Sequence, residues 1–199
     1  MKLRNGAAGF TASFCLLVAA CAPSPRSATE YYLDYPTYDT PTGLVEAADA
    51  IVRGRVLSTR VEELYPDMIT ETDPALNPQA GLDETQLEEV EPIIITIATV
   101  KVTEVVKGEV RANARIEVSQ VGGQLDGARY VAHGTTLVVP RNQEYVFVLA
   151  AHPGAPFDLV NPELGLYDAE PRGELTHVSR NNTLPIGSLS DLYDAVDAS

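Results

Sequence analysis

Apolar residues in this chain alternate or run in short blocks far more often than they recur at helical spacing. Ala50 to Ser58 carries Ile51, Val52, Val56 and Leu57 and reads as a strand. Leu44, Ala47, Ala48 and Ile51 predict about one turn of helix before it. Pro92 to Val106 is the strongest strand signal, with Ile93, Ile94, Ile95, Ile97, Val100, Val102, Val105 and Val106. At about 3.3 Å per residue it would span roughly 50 Å, so it is expected to coil, bulge or bend. Lys107-Gly108-Glu109 reads as a turn. Arg115 to Val121 sets Ile116, Val118 and Gln120 against Arg115, Glu117 and Ser119, and Gly122-Gly123 is expected to end that strand. Glu144 to Ala150 is nearly continuous apolar sequence and predicts a central strand. Phe157 to Val160, Leu164 to Tyr167 and Leu175 to Val178 are shorter strands divided by Pro and Gly. Leu189, Leu192, Tyr193 and Val196 then follow the stripe of one helix face, with Ser188 as cap and Asp191 and Asp194 near the positive end of the dipole.

Two stretches break this pattern. Residues 21–43 read as a tether: Pro23, Pro25, Pro36 and Pro41 interrupt it, and a flexible segment of that length spans roughly 25 Å on average. Its cluster of Tyr31, Tyr32, Tyr35 and Tyr38 is more than a tether needs, and packing back onto the domain is preferred over a recognition role. Residues 62–91 hold Glu62, Glu63, Asp67, Glu71, Asp73, Asp83, Glu84, Glu88, Glu89 and Glu91 with no Lys or Arg. A stretch so acidic and so poor in apolar residues reads as a long inserted loop.

The amino terminus has the layout of an export signal: Lys2 and Arg4, an apolar region from Ala7 to Ala20, then small residues before a cysteine. The apolar region is shorter than the roughly 20 residues that span a bilayer. Phe14 makes Cys15 a poor lipidation site, whereas Leu17-Val18-Ala19-Ala20-Cys21 resembles the lipobox of bacterial lipoproteins. The resemblance implies diacylglycerol transfer to Cys21, cleavage between Ala20 and Cys21, and a lipid anchor on the outer face of the cell membrane or in the outer membrane. Two or more acyl chains hold firmly where one does not. Residues 1–20 would thus be a signal helix, 21–43 a lipidated, disordered tether, and 44–199 the domain.

Charge narrows the partners. The chain carries −14, and cleavage before Cys21 would take it to −16 by removing Lys2 and Arg4. Nucleic acid and anionic lipid surfaces are therefore not expected partners, because phosphate binding needs clustered cations. With Cys15 removed and Cys21 acylated, no thiol is left for a disulfide, and burial alone must hold the fold.

Five or six strands with one small helix suit a closed or partly open barrel. The succession Ala48 to Val56, Val102 to Gly108, Val118 to Gly123 and Tyr145 to Leu149 is similar to a broad group of secreted bacterial proteins. Their domain looks like the OB-type barrel of the tissue inhibitors of metalloproteinases and the netrin modules. The resemblance covers residues 44 to 180 and implies a mainly β, OB-like five- to six-stranded barrel. The inhibitors' zinc-chelating free N-terminal cysteine is not carried over, because Cys21 would bear lipid and lies far ahead of the barrel.

Catalytic signals are sparse. His133, His152 and His177 lack the short spacings of a zinc site, and the acidic loop lacks the alternating turn of a calcium site. Neither Gly-x-Ser-x-Gly nor Ser-x-x-Lys occurs. Asp158, Asp168 and Glu170 are candidates for acid–base work on a glycoside, but acids are frequent throughout and there is no Trp. The expectation is a lipid-anchored, non-catalytic module, without cofactor or metal, that binds or scaffolds a basic protein or peptide. Its candidate surfaces are the loops from Gly122 to Gly134, where Gly122, Gly123, Gln124 and His133 are the candidate residues, and the acidic insertion. The alternatives are a hydrolase or metal-dependent enzyme whose residues converge only in the fold, and a purely structural envelope protein.

Overall fold

The computed structural model describes residues 28–65 and 91–199. The expected signal segment, the expected cleavage between Ala20 and Cys21 with lipidation at Cys21, and residues 66–90 of the expected acidic insertion lie outside the described residues. The elements are β1 (Thr29–Tyr31), α1 (Pro41–Glu46), β2 (Ala50–Leu64), β3 (Ile93–Lys107), β4 (Arg115–Leu125), β5 (Ala128–Ala132), β6 (Glu144–Ala150), β7 (Phe157–Leu159), β8 (Leu166–Ala169), β9 (Leu175–His177) and α2 (Leu189–Asp197).

Five strands close on themselves. β2 pairs antiparallel with β3 and β6, β3 with β4, and β7 joins the ring by pairing parallel to β4 and antiparallel to β6. Numbered along the chain, the ring runs first, second, third, fifth, fourth and back to the first, the order of an OB barrel. The fold is mainly β, as the sequence pattern predicts. Beyond the ring, β8 and β9 extend the sheet past β6, while β5 and β1 extend it past β4.

Period-two alternation sorts the core into two. Val52 and Val56 of β2, Ala98, Val100 and Val102 of β3, Val118 of β4 and Tyr145, Phe147 and Leu149 of β6 fill the barrel. Val146 and Val148 of β6 point the other way, into a second core with Leu44 and Val45 of α1 and Leu189, Leu192 and Ala195 of α2. β6 is therefore buried on both faces, which is why its sequence is an almost unbroken apolar run.

The long strands bend as their length requires. The β2–β3 pairing shifts register at Ile51/Val52, Arg53/Gly54 and Val56/Ser58. β2 pairs with β6 only from Ala50 to Gly54, and beyond that point it leaves the ring, still zipped to β3 as far as Leu64. Gly54 sits where the strands crowd, since a Cβ there would lie 2.6 Å from Val100 Cγ1 and 2.8 Å from Lys101 O.

Three expectations need correction. β2 does not stop at Ser58 but runs to Leu64, so Glu62 and Glu63, expected in the inserted loop, are strand residues held by pairing to Ile95 and Ile94. Gly122-Gly123 does not end its strand, because β4 continues to Leu125 and the glycines, at φ 108° and 153°, let it change partners without stopping. The expected tether does not extend to Gly43. Thr29 to Tyr31 adds to β5 in parallel, Asn161 Nδ2 donates to Pro36 O at 2.9 Å, and Tyr38 packs on the second core. Backbone pairing and tyrosine burial bind these residues to the barrel.

The C-terminal helix starts on a capping box. Asp191 N–H donates to Ser188 Oγ at 3.3 Å, and Gly187 and Ser188 N–H donate to Asp191 Oδ2 at 2.8 and 2.9 Å. Ser188→Ala is expected to lower stability by about 1 kcal/mol, read as a lower urea midpoint. The bond from Gly187 holds the Asp191 carboxyl below its ordinary 3.8. Its contribution is therefore complete above that pH and lost as pH falls through the lower folded value. Asp191→Asn should flatten this acid limb of the stability profile.

Candidate functional site

β4 pairs with β3 up to Val121, opposite Ile95, and with β5 from Gly122, opposite Val131. At this switch the β4–β5 hairpin swings away from the barrel and opens a cleft. Its glycine floor is tightly fitted. A Cβ on Gly122 would lie 3.1 Å from Tyr130 O, and one on Gly123 would lie 2.9 Å from Thr96 Oγ1 and 3.1 Å from Val61 Cγ1. Thr96 Oγ1 donates to the Gly122 carbonyl at 2.7 Å, replacing the ladder bond lost at the bend.

The opposite wall is an irregular segment, 135–139, pinned by one buried side chain. Gln120 Nε2 donates to Thr136 O at 2.9 Å, and Val138 N–H donates to Gln120 Oε1 at 2.8 Å. The amide thus acts as a surrogate strand partner, while Val138 fills the barrel mouth. Between the walls lies a cleft of about 680 Å³, lined among others by Val61, Gly122, Gly123, Gln124, Tyr130 and Val139, with Arg129 its one charged lining residue, so that the acidic groups lie outside it. Its volume falls in the range of small-ligand and peptide pockets.

Three of the four expected surface residues, Gly122, Gly123 and Gln124, meet in this cleft, and His133 does not. Its ring stacks on Tyr32 with centroids 4.1 Å apart, and Nε2 lies 3.2 Å from Glu30 Oε2. The hydrogen bond from the Tyr32 hydroxyl, and then His133, hold the Glu30 carboxyl below its ordinary value. This group closes the parallel β1–β5 pairing. No protein-family model and no curated protein matches the chain.

The other titratable groups are dispersed. His177 Nε2 lies 3.2 Å from Ile186 O, and its ring meets the edge of Tyr167. His152 Nε2 lies 3.1 Å from Asp158 Oδ2, while Ser119 Oγ donates to Asp158 Oδ1. The carboxylate thus stands between serine and histidine, the reverse of a hydrolase relay, in which the imidazole must touch the hydroxyl. Burial, then the charge of Asp158, push the nearby Tyr35 hydroxyl above its ordinary value. Asp168 is paired with Arg141, and the Glu170 carbonyl accepts from Arg53. Among the described residues no three His, Cys, Asp or Glu side chains cluster as metal ligands, and no helix is long and apolar enough to cross a membrane.

Sequence reasoning missed Gln120, Val138 and Tyr130. Gln120 carried a signal, being a polar residue on the apolar face of an alternating strand. Such a group must find a buried partner.

Proposed function

We propose that the chain is a lipoprotein, acylated at Cys21 and held on the extracytoplasmic face of an envelope membrane, whose barrel binds a basic peptide or protein segment without catalysis. The observation that carries the binding reading is the cleft at the β4 switch, between the β4–β5 hairpin and the 135–139 segment. The lipobox-like run Leu17 to Cys21 supports the address, and the charge of −14 supports the sign of the partner.

Labelling cells with a fatty-acid probe tests the address. Wild type should take the label and Cys21→Ser should lose it, while label retained on the variant would refute the anchor. A fluorescent lysine-rich peptide titrated against the detergent-solubilised chain tests the binding. Affinity should fall as salt rises, because both charged surfaces are exposed to screening. Val139→Lys, on the exposed rim of the cleft, should weaken binding several-fold while shifting stability by less than about 0.5 kcal/mol. Binding indifferent to both salt and Val139→Lys would count against this reading.

A further inference from the structure

Past Gly54, β2 pairs on one side only among the described residues. Its pairing with β6 stops there, its pairing with β3 continues to Leu64, and among the described residues no strand lies along its outer edge from Leu57 to Leu64. Natural sheets usually shorten or cover such an edge, because its free N–H and C=O groups are a template for another strand. Here the edge is long, and it carries exposed apolar side chains at Leu57, Leu64 and, just beyond, Tyr65.

The two faces of this edge differ. Thr59 and Val61 face the cleft, with Val61 against Gly123. Arg60 and Glu62 lie on the opposite face, where Arg60 is bonded to both Glu62 and Glu117, leaving an acidic excess. Glu63 follows Val61 on the cleft-side face, and no Lys or Arg occurs from Val61 to Val100.

We propose that the outer edge of β2, Leu57 to Leu64, is a strand-addition site for an extended basic segment. That segment completes the sheet, drops alternate apolar side chains into the cleft beside Val61 and Gly123, and sets its cations against Glu62 and Glu117. Main-chain pairing supplies affinity and the alternate pockets supply selectivity, as in other β-augmented complexes. A second copy of this chain is a poor occupant, because each copy carries −14. The site deepens the proposed function and rests on its basic partner.

The test uses the full chain in detergent with an eight-residue peptide alternating Lys and Val. Two further versions of the peptide are N-methylated at alternate residues, one in each phase. Charge and side chains are then constant, and only the phase whose N–H groups face β2 loses its bonds. The expected result is at least tenfold weaker binding for one phase alone, with the outward-facing amides between Leu57 and Leu64, those not bonded to β3, slowed in hydrogen exchange by the parent peptide.

Equal binding of all three peptides would overturn strand addition and leave the basic-partner reading standing. No binding by any of them would overturn both. Outward-facing amides of β2, those that do not bond β3, would also overturn the site if already slow in the free chain: if the slowing is independent of concentration, another part of the chain covers the edge, and if it grows with concentration, a second copy does. Thr59→Pro is a supporting variant, expected to abolish the parent peptide's binding, and the methylated peptides keep the test decisive should that variant not fold.

Discussion

Phe147→Ala is expected to cost about 3–5 kcal/mol, the largest loss from a single truncation in the barrel. Phe147 is fully buried, and its ring meets Tyr145 with centroids 5.7 Å apart. Its strand is fixed on both sides, to β2 at Val52 and to β8 at Leu166. A ring of paired strands cannot close in on the space left behind, so the cavity term adds to the lost transfer energy. Since a domain's whole stability is about 5–15 kcal/mol, urea denaturation should show a sharply lower midpoint. An effect under about 1 kcal/mol would mean that the barrel interior repacks freely and is not the core described here.

Gly108→Ala should approach that loss by a different route. Gly108 has φ 94°, and a Cβ there would lie 2.4 Å from Asp49 O and 2.9 Å from Ala50 Cα. The obstructing atoms are backbone, at the point where β2 enters the ring, and they cannot rotate aside. Strain at such a φ costs about 1–3 kcal/mol, and overpacking adds about 1–3 kcal/mol. Gly154→Ala is the control, with φ 75° and nothing within 4 Å of the added carbon. It bears the conformational strain alone, so the difference between the two variants isolates the overlap. Equal urea midpoints would show that the contact with Asp49 and Ala50 carries no cost.

The ring strands were legible in the sequence where each puts alternate side chains into a core, whereas β2 beyond Ser58 leaves the ring, is mostly exposed and reads as loop from Glu62. β6 could be read as central because both its faces are covered. β1 and β5 were not legible. Thr29-Glu30-Tyr31 and the Ala128 to Ala132 strand lie at the sheet's margin, mostly half-buried or exposed, and backbone pairing leaves little trace in side-chain polarity. The glycine pair showed that φ would turn positive, yet not whether the strand would stop there or change partner. That depends on Thr96, a residue of another strand, catching the Gly122 carbonyl. The cleft was half legible for the same reason: its floor is local sequence, whereas its far wall depends on Gln120 reaching Thr136 and Val138.

The docking of Thr29 to Tyr38 along the barrel shortens the leash. Were Cys21 acylated as proposed, only seven peptide steps would separate the lipid layer from Ala28, a reach of at most about 25 Å when drawn out fully. The same span would have been merely typical of a free segment ending at Gly43. On that proposal the domain would patrol a thin shell above the lipid headgroups, and its partner would have to be delivered to that shell.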